Sequence, residues 1–158
     1  MPKVTVLPSN IHGKGFFAGR PFKKGESIDT VKGDVYRKIN KTMRDVFANP
    51  DWIGVAENTW IDPRPPYKFI NHSCSPSAGV RGKVTLVARR NLKAGDEITL
   101  DYSTIEGDPH WEMRCACGTK NCRKTIRSIH FLPYTVYMRY LPYIPTYFQK
   151  LYKEKRYT

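Results

Sequence analysis

Three cysteines packed into eight residues carry the most definite chemistry in this sequence. Cys115-Ala116-Cys117-Gly118-Thr119-Lys120-Asn121-Cys122 has the spacing C-x-C-x4-C, with a turn glycine inside it. Such a loop lets three thiolates converge on one tetrahedral metal ion, and zinc is the natural occupant. The remaining cysteine, Cys74, lies 41 residues upstream of Cys115 in the run Asn71-His72-Ser73-Cys74. With Cys74 as fourth ligand the site is closed and structural, because a catalytic zinc keeps a coordination position for water or substrate. The alternative, three buried reduced thiols acting as small hydrophobes, fits poorly with Gly, Lys, Asn and Arg as neighbours. A metal clasp from Cys74 to the later hairpin would make two distant parts of the chain build one pocket.

Short elements must position that clasp. Residues 3–7 alternate like an edge strand and Pro8 ends the run. Gly13 and Gly15 precede an apolar stretch, Ser27 to Val31 and Trp52 to Ile61 read as extended, and Val84 to Ala88 as a buried strand. Ile98-Thr99-Leu100-Asp101-Tyr102 alternates, which predicts Ile98, Leu100 and Tyr102 on one face of a strand. The turns Phe22-Lys23-Lys24-Gly25-Glu26-Ser27-Ile28 and Leu92-Lys93-Ala94-Gly95-Asp96-Glu97-Ile98 echo each other. Asn40 is a cap for a short amphipathic helix over 41–48. Beyond residue 130, Tyr134, Tyr137, Tyr140 and Tyr143 step by three, and prolines punctuate two short helices. That spacing points to core packing over base stacking.

The chain has 158 residues, 40% of them hydrophobic and 13% aromatic, so it folds around its own core and is not intrinsically disordered. No apolar run approaches the ~20 residues of a bilayer span, and the opening residues lack a signal core, so a soluble intracellular protein with reduced cysteines is expected. Net charge is +13, and residues 113–158 hold ten basic residues and one acid. A field of that sign attracts nucleic acid or an acidic partner, or is simply a solvated face.

Four segments together resemble a known family. Gly13-Lys14-Gly15 followed by Phe-Phe-Ala, Phe69-Ile70-Asn71-His72-Ser73-Cys74-Ser75-Pro76, Gly95-Asp96-Glu97-Ile98-Thr99-Leu100-Asp101-Tyr102 and the C-x-C-x4-C segment occur in the order of a SET domain with a post-SET zinc motif. The likeness covers roughly residues 4–126. It implies a protein-lysine N-methyltransferase using S-adenosylmethionine, and a mainly β fold with short helices, the β-clip or pseudoknot arrangement, carrying a helical C-terminal extension. The expected organisation is a SET domain at 1–112, a post-SET zinc segment at 113–127 and a basic aromatic extension at 128–158.

By the same resemblance, His12, Gly13, Lys14, Gly15, Asn71 and His72 hold the methyl donor, Tyr102 is catalytic, Leu100 and Tyr67 line the lysine channel, and Cys74, Cys115, Cys117 and Cys122 bind one zinc. Tyr102 suits the chemistry, since methyl transfer is an in-line displacement in which positioning does most of the work. The chain departs from the family pattern where Tyr-x-Gly-Glu is replaced by Val31-Lys32-Gly33-Asp34, which removes a pocket hydroxyl that Tyr36 or Tyr67 would have to supply. Lys68 stands in place of an arginine, and Leu100 in place of the aromatic residue that tunes the number of methyl groups added.

A histone tail is the expected substrate, with nucleosomal DNA as a further contact and the nucleus as the place of action. The alternatives are methylation of a non-histone protein, in the cytoplasm or in a host cell, and a catalytically silent SET-like binding module.

Overall fold

The computed structural model describes residues 2–37 and 52–155. The helix expected over 41–48 lies outside them. Among the described residues, four small antiparallel sheets make up the body. Strands β1 (Val4–Pro8) and β2 (Lys14–Ala18) form a hairpin with Val6 opposite Phe16. Strands β3 (Ser27–Thr30), β7 (Ala78–Arg81) and β8 (Thr85–Ala88) form a sheet in the order β3-β8-β7. Strands β4 (Gly33–Arg37), β5 (Ile53–Ala56) and β6 (Thr59–Pro63) follow in the order β4-β6-β5. The last pair, β9 (Glu112–Arg114) and β10 (Thr125–Arg127), brackets the cysteine hairpin.

The two echoing turns are partners in space. Phe22 and Leu92 exchange backbone hydrogen bonds of 3.0 and 2.8 Å, which binds the turns at Gly25 and Gly95 side by side. Each turn is also closed by its acid: Glu26 accepts from the Lys23 amide at 2.9 Å and Asp96 from the Lys93 amide at 3.0 Å. Identical local chemistry therefore yields a matched pair.

The expected Ile98–Tyr102 strand is corrected. The segment joins no sheet beyond isolated bridges, and Thr99 and Asp101 are as buried as Ile98 and Leu100. Alternation fails because both sides are covered. The Ile98 amide donates to Phe16 at 2.7 Å on one flank, while on the other Leu100 donates to Asn71 at 3.1 Å and Ser73 donates to Leu100 at 2.9 Å. Residues 71–73 thus run parallel to residues 98–101, joined at His72 and Leu100. Tyr102 leaves the segment as the first residue of a 3-10 turn, Tyr102–Thr104.

Two cores result. Phe16, Ile28, Leu86, Ile98 and Leu100 centre the sheet core, and Ile129, Tyr137, Tyr140, Ile144, Phe148 and Tyr152 centre the second. The second belongs to helices α1 (Tyr134–Tyr140) and α2 (Thr146–Lys155), which start behind Pro133 and Pro145 as the prolines predicted. Their aromatics are mainly packing groups, with Tyr137 stacked on Tyr152 at 3.8 Å. The link between the helices lies along the free edge of β7, where Val80 donates to the Tyr143 carbonyl at 3.1 Å and Thr146 donates to Gly82 at 3.0 Å. Gly79 makes this approach possible, because a β-carbon there would come within 2.6 Å of Tyr143.

Candidate active site

Asn71 is 8% exposed, and its amide nitrogen lies within hydrogen-bond distance of four oxygens: Ser9 Oγ at 3.1 Å, the His12 carbonyl at 3.1 Å, the Lys14 carbonyl at 3.0 Å and Glu97 Oε1 at 2.9 Å. Two N–H groups shared among these acceptors tie the glycine loop to the centre of the molecule. Gly13 sits in that loop at φ +48°. Ser9 Oγ also reaches both Glu97 oxygens, at 2.8 and 3.0 Å. Gly15 leaves room for this carboxylate, since a β-carbon there would overlap Glu97. Ser9 and Glu97 are absent from the residues picked out by sequence, where Glu97 reads as one acid of a turn.

His72 faces the other way. Its Nδ1 accepts from the Tyr102 amide at 3.1 Å, so the ring is neutral with the proton on Nε2, which points at Cys74 Sγ at 3.4 Å. Burial pushes its pKa down to about 4, against the pull of Asp101 and helped by the Arg123 charge. Tyr102 in turn donates its hydroxyl to the Ile70 carbonyl at 2.6 Å. The residues on both sides of the parallel crossing are therefore locked to one another through side chains.

The four cysteines come together as expected. Their Sγ atoms all lie within 4.8 Å of one another, and Cys74 Sγ is 3.8 Å from Cys115 Sγ. Thiolates ~2.3 Å from a tetrahedral zinc are separated by about 3.8 Å, so the donor set fits that ion. Burial raises the Cys74 and Cys115 thiols, which favours ionisation only against a cation. At Cys117, bonds from Thr119 and from the Cys74 amide outweigh the burial and bring the thiol to about 6. Backbone amides supply the outer support: Cys74 donates to Cys117 Sγ at 3.5 Å and Arg123 donates to Cys74 Sγ at 3.4 Å.

Beneath the cluster lies Asp101, 1% exposed. Arg123 grips it with two bonds of 2.7 and 2.8 Å, and Tyr140 donates to it at 2.7 Å. Burial, reinforced by Asp101, keeps the Tyr140 hydroxyl protonated well above the ordinary tyrosine range.

Two cavities meet at Tyr102. One has a volume of about 350 Å³ and is lined by His12, Asn71, His72, Tyr102, Met113 and the Arg114–Cys117 stretch. The other has a volume of only about 40 Å³ and is walled by Trp52, Tyr67, Ile70, Leu100, Tyr102 and Trp111. Among the predicted donor-site residues, His12, Asn71 and His72 line the larger cavity, whereas Gly13, Lys14 and Gly15 are not part of its lining. Leu100 and Tyr67 both line the smaller one. The Tyr67 hydroxyl is held by Asp29 at 3.1 Å. Tyr36 is stacked on Trp52 at 4.6 Å and lies outside the cavity wall, so it does not replace the hydroxyl missing at Val31. Lys68 lines the smaller cavity with its ammonium 5.6 Å from the Phe69 ring, a point charge where a planar guanidinium was expected.

Comparison with known proteins agrees with this geometry. Residues 13–103 match the SET domain family model. The human protein named Histone-lysine N-methyltransferase 2B is 31% identical over 138 residues, which cover 77% of this chain and 5% of that protein. A protein of Eremothecium gossypii named Histone-lysine N-methyltransferase, H3 lysine-4 specific, is 31% identical over 137 residues, or 76% of this chain and 14% of its own length. The chain therefore spans only a small part of these relatives. The solved structure of KRYPTONITE in complex with mCHG DNA and SAH has a TM-score of 0.62 and 26% identity, covering 77% of this chain and 28% of that one. The matched segment holds the glycine loop, the Asn71–Cys74 run and the Asp101-Tyr102 pair, and this chain belongs to the SET domain family.

Proposed function

We propose that this chain is an S-adenosylmethionine-dependent protein-lysine N-methyltransferase acting on a histone. The observation that carries the proposal is the meeting of the two cavities at Tyr102. The larger space has the size and the mixed lining of a small-molecule site. The smaller one is narrow and aromatic, which suits a lysine side chain and favours its neutral amine. When bound, S-adenosylmethionine supplies an electrophilic methyl group on a sulfonium. This chain's residues then hold and align. Asn71 and His72 shape the donor wall, the aromatic walls strip water from the amine, and Leu100 leaves space around it. Tyr102, whose proton is engaged by Ile70, offers its oxygen lone pairs at the junction. Alignment of this kind supplies most of the rate in a simple displacement. The cysteine cluster would hold zinc as a brace, since its four thiolates leave no open position.

The substrate assignment draws on the relatives' names and on charge. A chain of net charge +13 repels a basic tail at long range. Locally the sign reverses, because a third cavity lined by Glu57, Glu106, Asp108, Trp60 and Tyr147 shares Glu106 with the lysine channel. Basic residues beside the target lysine would meet carboxylates there. Exposed Arg114, Lys120, Lys124 and Arg127 surround the cysteine hairpin and offer a separate surface for nucleosomal DNA. Action on chromatin in the nucleus follows from that reading. Among the described residues no helix is long and apolar enough to cross a membrane.

The test is methyl transfer from labelled donor to core histones and to nucleosomes across a salt series. The expected result is labelled lysine, with the nucleosome advantage shrinking as salt rises. Labelling of non-histone proteins alone would move the assignment to the second reading. Failure to bind the donor at all would leave the silent binding module, an outcome to which the losses at Val31 and Lys68 would then point.

A further inference from the structure

Tyr140 lies in α1, outside the segments that carry the family likeness, yet its hydroxyl reaches the centre of the site. It donates to Asp101 Oδ2 at 2.7 Å and lies 3.2 Å from the Cys74 carbonyl, so one proton is shared between two chain segments. The residue is 3% exposed. Its ring is fixed from above by the Arg89 guanidinium at 4.3 Å, which is itself bonded to the Pro76 carbonyl at 3.0 Å. Both acceptors matter for their neighbours. Asp101 immediately precedes Tyr102, and Cys74 closes the run that begins with Asn71 and His72. Asn121 also donates to the Cys74 carbonyl, at 3.0 Å, so three segments converge on this point.

We infer that Tyr140 is a positioning residue for methyl transfer: by pinning Asp101 to Cys74 it sets the separation between Tyr102 and the donor wall. The C-terminal extension is then a working part of the site. This inference rests on the methyltransferase reading. Its physical basis is steep distance dependence, since misplacing a reacting geometry by ~1 Å can cost about 10²-fold in rate. The hydroxyl anchors the loop from behind and touches neither cavity, so its loss should act through alignment and leave peptide capture alone.

Tyr140→Phe keeps the ring, its packing and the Arg89 contact while removing the shared proton. Tyr137→Phe is the control. Tyr137 is equally buried in the same helix, but its hydroxyl has no hydrogen-bond partner among the described residues. With zinc content matched, Tyr140→Phe should lower kcat by about 10-fold, weaken donor binding in calorimetry, and leave the peptide KM within about 2-fold. Tyr137→Phe should change none of these. If Tyr140→Phe melts earlier but turns over like Tyr137→Phe at a temperature where both are folded, the residue is only a structural bolt and the inference is overturned. If the wild type binds no donor and methylates nothing, the underlying reading fails instead.

Discussion

Arg123→Met is the substitution that most directly tests the buried network under the cysteine cluster. Asp101 has a side chain with 0% exposure and Arg123 one with 18%, joined by two short bonds, and Arg123 also donates to Ser103 Oγ at 3.1 Å. Removing the guanidinium leaves a buried carboxylate whose remaining donors among the described residues are the Tyr140 hydroxyl and the Ser103 amide. Breaking a buried pair by deleting one partner costs about 3–5 kcal/mol. The surviving donors place the cost at the lower end, roughly 3 kcal/mol. For a domain of this size that is a Tm drop of about 6–12 °C. Arg90→Met supplies the comparison, because Arg90 and Asp96 pair at 3.1 Å with side chains 56% and 32% exposed. An exposed pair contributes about 0–1 kcal/mol, so this variant should move Tm by no more than about 4 °C. Scanning calorimetry of zinc-loaded proteins reads both. Pairing Arg123→Met with Asp101→Asn should recover part of the loss, since the uncompensated charge is gone. A single Arg123→Met variant no less stable than Arg90→Met would refute the reasoning.

Other perturbations address the remaining parts of the site. Tyr102→Phe should lower kcat by roughly 10²-fold in a steady-state methyl-transfer assay while the donor still binds; an unchanged kcat would remove the hydroxyl from the mechanism. Metal analysis should find one zinc per chain, and Cys117→Ser or a strong chelator should strip it together with the hydrogen-exchange protection of residues 113–127. Gly15→Ala should destabilise the chain by about 1–3 kcal/mol, because the new methyl group overlaps the Glu97 carboxylate. Donor affinity, read by titration, should fall with it. Leu100→Tyr should fill the channel beside Tyr102 and shift products toward fewer methyl groups, as counted by mass spectrometry of the product peptide.

What the sequence revealed is what local spacing encodes. The cysteine loop, the glycine turns and the prolines ahead of both helices each lie within a few residues, and each takes the expected form. The joining of Cys74 to the later cysteines was also within reach, since only one cysteine remained to be placed. Long-range closures carried no such signal. The acceptors of Asp101 are met by Arg123 and Tyr140, which lie 22 and 39 residues away in sequence, and neither residue type announces a partner at that distance. Ser9 and Glu97 are 88 residues apart and stayed hidden for the same reason. The alternation from Ile98 to Tyr102 misled because it assumes one wet face, whereas Ser77 covers Thr99, and Arg123 and Tyr140 cover Asp101.

The path of the Tyr143–Thr146 link along β7 has a practical corollary for anyone dividing this protein into pieces. A fragment ending at residue 127, where the cysteine hairpin closes, would strip the Val80 amide and the Gly82 carbonyl of their partners and bare a ready-made template for strand addition. Such a shortened version should clump by edge-to-edge pairing even with its metal in place.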